Sequence, residues 1–365
     1  MTQTTPADRD VRITQVTSGD DEHVDRFPAL WRRRDGSLLL IYQFISGRNR
    51  FKGSGCHVLL ASSDEGQTWR EEQRAFPWSR DEENASAAHA TSPGDYCRFT
   101  ALPDGRLAYY GQAPDGGMII LSRDEFRDPP EAWEIIRPTY DVTRPNRCLY
   151  HIRVLTDGSW AMLSTWEERH DVTPEQQQGW QRGLNPAGMD FLLSHDQGRS
   201  WNVRSTLYEG TFFPYYLCEP SWAITPEGHY RVFTREDLGW GPGVEFTSTD
   251  EGRTWEAQPQ RFMGHHIFAD MLPDGRGLLA VFRGCHYIHM PAVGAWWDDG
   301  SAWGRFLHLD NLSTGARYHA DMSQWVALPD GSVMVAYSLP PQRDCEVRVH
   351  VARFTLEQFR GAGLY

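Results

Sequence analysis

Arginines, histidines, tyrosines and carboxylates recur at one place in a repeated pattern, six to eleven residues upstream of an acidic-glycine pair. They are Arg26; Tyr96 and Arg98; Tyr150 and His151; Glu219; His265 and His266; and His319 and Asp321. Such a set supports three kinds of chemistry. Guanidinium forks grip a carboxylate bidentately. A carboxyl or an imidazole moves protons, and imidazoles with carboxylates bind divalent metal ions. Any single histidine here is as well explained by hydrogen bonding inside a wet channel. Their convergence is what marks a candidate pocket.

The elements that must position them are strands. Six tight-turn signals punctuate the chain: Arg34-Asp35-Gly36, Pro103-Asp104-Gly105, Thr156-Asp157-Gly158, Pro226-Glu227-Gly228, Pro273-Asp274-Gly275 and Pro329-Asp330-Gly331. β-rich apolar runs lie on both sides of each, as Leu30-Trp31 and Leu38–Tyr42 do around the first. An acidic residue followed by Gly between two such runs is a hairpin, because Gly accepts the positive φ that a tight turn demands. The acidic positions fall 47 to 70 residues apart, the period of a propeller blade with several strands. The expected fold is therefore all-β: a six-bladed β-propeller of four-stranded antiparallel blades. The last blade reads one strand short, and Val11–Val16 is expected to complete it and close the ring. Residues 1–365 are expected to form one domain, with 1–10 a flexible lead.

A second repeat follows five of the hairpins. Ser62-Ser63-Asp64-Glu65-Gly66-Gln67-Thr68-Trp69 and Ser248-Thr249-Asp250-Glu251-Gly252-Arg253-Thr254-Trp255 are complete. Ser194-His195-Asp196-Gln197-Gly198-Arg199-Ser200-Trp201 changes only Thr to Ser, and worn copies stand at Asp298–Trp303 and Ser122–Asp124. These resemble the Asp-boxes (BNR repeats) of the sialidase superfamily over nearly the whole chain. There the box is a structural turn between the outer strands of a blade, so the boxes imply fold and not catalysis.

The resemblance also implies site residues. Asp25-Arg26-Phe27-Pro28 is similar to the family's Phe-Arg-Ile-Pro motif, whose arginine grips the substrate carboxylate, which gives Arg26 that role. Glu219-Pro220-Ser221 resembles the segment of the glutamate that activates the nucleophilic tyrosine, and Arg235 is placed like the second carboxylate-binding arginine. The chain departs from the family at other points. The loop 45–55, where an acid/base aspartate belongs, holds no Asp or Glu. Asp321 and Met322 stand where the tyrosine belongs, and His286 and His289 lie where a third arginine is due, with Arg283 the nearest substitute. The tyrosine of the standard retaining mechanism is thus missing from its usual place, with Tyr215 or Tyr216 as candidate stand-ins.

Three functions remain open. In the first, a divergent glycoside hydrolase acts on a sialic or uronic acid-type glycan. Arg26, Arg235, Arg283, Arg98, His266 and His319 bind substrate, while Glu219, Asp321, His151 and Tyr150 are catalytic. In the second, a uronate lyase uses Tyr150 and His151 as acid and base, with a divalent metal as an optional helper. No His-Glu-x-x-His spacing is present, so no metal site and no cofactor is assigned. The third is a non-catalytic carbohydrate-binding propeller. The stretch 165–190, with Trp166, Glu167 and Trp180, is expected to form a rim, and Phe212–Tyr216 offers faces for sugar stacking.

Composition bounds the partners. With 36 Lys and Arg against 49 Asp and Glu the net charge is −13, which argues against nucleic acid and anionic membranes. Lys52 is the only lysine. The six cysteines are scattered one per repeat with no Cys-x-x-Cys and read as reduced thiols. Met1–Asp8 lacks a basic end and an apolar core, and no apolar run has membrane-spanning length. The expectation is a soluble cytoplasmic protein, monomer or homodimer, acting on an acidic oligosaccharide.

Overall fold

The computed structural model describes residues 11–18, 23–46, 53–80, 95–112, 117–144, 147–167, 187–210, 217–236, 242–284, 293–302, 304–310, 321–339 and 347–361. The protein is a six-bladed β-propeller in which consecutive strands pair within each sheet. The first sheet is ordered His23–Arg32, Leu38–Ser46, Gly53–Ser62, Arg70–Arg80, and the second begins at Asp95–Ala101. The third, fourth and fifth begin at Cys148–Val154, Leu217–Ile224 and His265–Met271. Asp321–Ala327, Val333–Leu339 and Arg348–Phe354 make the sixth, whose outer strand is Arg12–Gln15, antiparallel to Arg348–Phe354. Two sheets carry a short fifth strand: Thr139–Tyr140 runs parallel to Ser200–Trp201, and Arg360–Gly361 pairs with Arg305–Phe306. The chain divides into two compact units, residues 1–75 with 270–365, and residues 76–269.

The hairpins behave as their chemistry requires. Asp35 Oδ1 accepts the Ser37 main-chain N–H at 3.0 Å, and Gly36, at φ +90°, closes the turn by donating to the Arg33 carbonyl at 2.9 Å. The octapeptide repeats are turns of a second kind. Asp64 accepts the Thr68 main-chain N–H at 2.9 Å and its hydroxyl at 2.6 Å, while Ser62 Oγ accepts the Gly66 N–H at 2.9 Å. Asp196 and Asp250 repeat the pattern. Glycine is obligatory at the fifth box position: Gly252 sits at φ +76°, and a Cβ there would lie 2.5 Å from the Phe191 ring. Trp201 is fully buried in a cluster joining Tyr110 and Ile119 of the second sheet to Leu149 and Trp160 of the third. The second and third sheets thus bury apolar faces against each other.

The feature that matters most for a site lies in the first strand of the sheets. Pairing there slips between Arg26 and Ala29, Asp95 and Arg98, Tyr150 and Arg153, Cys218 and Ser221, and Met322 and Trp325. At these β-bulges Phe27, His151 and Glu219 adopt left-handed φ values of 50°, 41° and 46°, and His266 in the fifth sheet stands at 50°. A bulge lifts residues out of the ladder and re-aims their side chains. Left-handed backbone at a non-glycine costs about 1–3 kcal/mol. Four such positions at matching points of four first strands mark a place where the fold tolerates strain.

Candidate functional site

Six of the sequence-derived residues come together in the unit formed by residues 76–269. Arg98, Tyr150, His151, Glu219 and His266 line one cleft with about 380 Å³ of empty space, part of it open to solvent. Arg235 joins them through Glu219. Tyr110, Pro220, Ser221 and Ile267 complete much of the wall. Among the described residues lining this cleft, Glu219 is the one carboxyl.

Glu219 is held from three directions. Arg235 Nη1 donates to its Oε1 at 2.5 Å, and the His266 main-chain N–H donates to Oε2 at 3.2 Å. The His266 ring nitrogen Nε2 lies 3.2 Å from Oε1. Both partners come from defined backbone: Arg235 pairs in register with Cys218, one residue before the bulge, and His266, at φ 50°, is the second residue of the next sheet's first strand. The carboxyl is therefore oriented before any ligand arrives, and 11 % of the side chain stays exposed.

Around it the groups differ in protonation. Burial, with Cys148, Glu219 and Cys218, pushes the Tyr150 phenol well above its ordinary range, although the Thr165 side chain bonds to it. Tyr150 is a proton-bearing group at neutral pH. Burial, reinforced by Arg153 and Arg98, pulls the His151 pKa well below the ordinary imidazole value, so this ring is neutral. Burial also lowers Arg98, against the favourable influence of Tyr110, Cys97, Glu219 and Tyr150. The wall of the cleft thus offers the Arg98 guanidinium, two phenols, two imidazoles and one carboxyl that Arg235 orients.

Arg26 and Asp321 have a different fate, in the other unit. Arg26 Nε and Nη2 donate to the two Asp321 oxygens at 2.7 and 2.8 Å, and Ser338 Oγ donates to Oδ2 at 2.9 Å. The Asp321 side chain is 0 % exposed. The carboxylate that Arg26 grips is the protein's own. Arg283 ends the strand Leu278–Arg283 and is buried. His319, His286, His289, Phe212–Tyr216 and most of the 165–190 stretch lie outside the described residues, as does the Tyr96 side chain. Among the described residues, no group of three or more His, Cys, Asp and Glu side chains is placed to hold a metal ion.

Ser221, Trp222 and Phe268 organise this cleft and carry no signal in a search for ionisable residues. A different signal does mark first-strand bulges, the one before Ser221 among them. Pro28 and Pro220 sit inside first strands, where proline is confined to edges or bulges, and each directly follows a left-handed residue.

No protein-family model matches the chain, and no curated protein matches it in sequence. Solved structures do share its fold. A Dyadobacter fermentans protein of unknown function is 18 % identical with a TM-score of 0.69, over 96 % of this chain and 99 % of that one. An α-L-arabinanase of Penicillium chrysogenum, solved with arabinobiose, is 13 % identical with a TM-score of 0.61, over 95 % and 99 %. The NanB sialidase of Streptococcus pneumoniae is 12 % identical with a TM-score of 0.59, over 96 % of this chain and 71 % of that one.

Proposed function

We propose that this propeller is a carbohydrate-active enzyme, a glycoside hydrolase that cleaves a glycan bearing a sialic or uronic acid-type carboxylate in the cleft around Glu219. One observation carries the reading: Glu219 is pinned at a strained bulge between Arg235 and His266, in a cleft that also holds Arg98. Backbone strain at a binding surface is a mark of function, and two guanidinium groups suit an anionic sugar. The shared fold with a sialidase and an arabinanase supports the reaction class. Hydrolysis requires a base to activate water and an acid to protonate the leaving oxygen. Glu219 takes the water proton as the water oxygen attacks the anomeric carbon. The Tyr150 phenol, kept protonated by burial, donates to the departing glycosidic oxygen. Arg26 and Asp321, which hold each other, are given no contact with substrate here.

A second reading rests on Glu219 being the one carboxyl among the described residues that line the cleft. With phenol and imidazole groups outnumbering carboxyls, β-elimination across a uronate is the competing reaction. One experiment separates them: incubation with sialosides, uronate-ended oligosaccharides and neutral arabino-oligosaccharides, followed by mass spectrometry. Products that together gain one water, and vanish in Glu219→Gln, support the hydrolase. Fragments summing to the intact mass, one with an unsaturated end, establish the lyase. No product from any glycan returns the chain to the binding-propeller reading, and turnover of arabino-oligosaccharides alone overturns the acidic substrate class.

A further inference from the structure

The walls of the cleft hold a second device, built from residues that the proton-transfer scheme above does not use. His151 Nδ1 faces two groups. The Trp222 main-chain N–H donates to it at 3.4 Å, and Ser221 Oγ lies 3.1 Å away. Ser221 Oγ already accepts the Ala269 main-chain N–H at 2.9 Å. A hydroxyl has one proton to give, and an Nδ1 that accepts from Trp222 has no proton of its own. The Ser221 proton therefore also points at Nδ1. This bonding pattern assigns the neutral ring its proton on Nε2, the nitrogen that has no partner among the described residues.

The rest of the residue is clamped as firmly. The Trp222 indole N–H donates to the His151 carbonyl at 2.6 Å, and Arg153 in turn donates to the Trp222 carbonyl at 3.0 and 2.7 Å. The imidazole packs on Phe268 with ring centroids 4.9 Å apart. Arg98 lies over the same Phe268 ring, 5.7 Å from its centroid. The charged and titratable groups around the imidazole are thus Arg98, Arg153, Tyr110, Tyr150, Glu219 and His266.

We infer that Ser221 and Trp222 set His151 as a permanent neutral donor, and that its Nε2–H and the Arg98 guanidinium form a donor-only subsite for a substrate carboxylate. This assignment rests on the acidic-glycan reading and moves His151 from acid/base work to recognition. An imidazolium would also attract a carboxylate, but its charge would fail across the physiological pH range. A ring locked neutral keeps one donor in one direction at every working pH. Ser221 is accordingly a positioning residue, acting through His151.

Nitrogen NMR of isotope-labelled whole protein tests this directly, with the His151 signals identified by their loss in His151→Gln. The expected result is an Nε2–H neutral tautomer unchanged from about pH 8 to about pH 5, and a ring in Ser221→Ala that changes tautomer or titrates within that range. A wild-type ring that carries its proton on Nδ1, or becomes cationic, overturns the donor assignment whether or not the protein turns over any glycan. The subsite is probed with D-glucuronate, against D-glucose as the uncharged control. The His151 Nε2–H signal is expected to shift with glucuronate alone. Glucuronate affinity is expected to fall about tenfold or more in His151→Leu and to be largely kept in His151→Gln, whose amide retains a donor. Equal shifts with both sugars, or equal losses in both variants, overturn the carboxylate subsite. Failure of the hydrolase reading has its own signature: glucuronate shifts His151, and no glycan is cleaved.

Discussion

Two carboxyl–arginine pairs have their carboxyl on a first strand of the propeller, and their bonding geometries are opposite. Asp321 and Arg26 close on each other with two bonds, a serine hydroxyl caps the carboxylate, and the acid is wholly buried. Glu219 and Arg235 meet through one nitrogen, the carboxyl keeps an exposed face, and its backbone is strained. The first arrangement satisfies nearly every lone pair internally, which is the condition under which a buried ion pair is tolerated. In the second, bonding capacity remains for a ligand. The same two kinds of group close fully on each other in one place and leave a carboxyl on the wall of a cleft in the other. Closure of the bonding geometry is what separates them.

Single substitutions should break this symmetry most visibly. Glu219→Gln is expected to lower turnover by about 100- to 10,000-fold, as loss of an acid/base group does, with the thermal transition nearly unmoved. Asp321→Asn is expected to do the reverse. It leaves Arg26 buried without its counter-charge, at a cost of about 3–5 kcal/mol, which a chain of this size shows as a Tm lower by roughly 4–7 °C. Calorimetry and initial rates on the same two variants decide the matter. Turnover lost in folded Asp321→Asn would return Asp321 to the catalytic set.

A double replacement sharpens the contrast. Arg26→Met with Asp321→Leu substitutes apolar groups of similar size for a buried pair, and such swaps are close to neutral. Most of the stability lost in Asp321→Asn should therefore be recovered. Arg235→Met with Glu219→Leu should fold and remain inactive. A double variant at Arg26 and Asp321 that melts as low as Asp321→Asn would show that the pair does more than satisfy its own charges.

The smallest effect expected is in the acid limb of stability. Burial holds His57 neutral down to about pH 3, whereas histidines of the unfolded chain protonate near their ordinary value of about 6.5. The unfolded state then binds more protons, so this contribution declines as pH falls from about 6.5 toward 3. The Thr68 side-chain and main-chain bonds, with that of Ser62, lower the Asp64 carboxyl to about 2. Its contribution is present above about pH 4 and is lost as pH falls toward 2. Melting curves across this range should show two declining stretches, and Asp64→Asn should flatten only the lower one.

Much of this protein was legible before any coordinates. An acidic residue beside Gly between β-rich runs can do little but turn a strand back, and box residues bond within a few positions of one another, so both are decided locally. The six blades and their strand order follow from those signals. The candidate site was half legible. The period brought Arg98, Tyr150, His151, Glu219 and His266 to first strands, and the family resemblance singled out Arg235 on the second strand of the Glu219 sheet, but nothing local says which arginine meets which acid. Arg26 and Asp321 lie at opposite ends of the chain and look like substrate-facing residues in sequence, yet the fold joins them. Ser221 and Ala269, which set the state of His151, bond across 48 residues. Sequence alone determined the turns, the blades and the kinds of groups that gather. Tertiary structure decided which charges are spent on each other, which imidazole is held neutral, and which carboxyl is left open. Those outcomes depend on burial and on distances of about 3 Å between distant segments, and only the packed chain defines them.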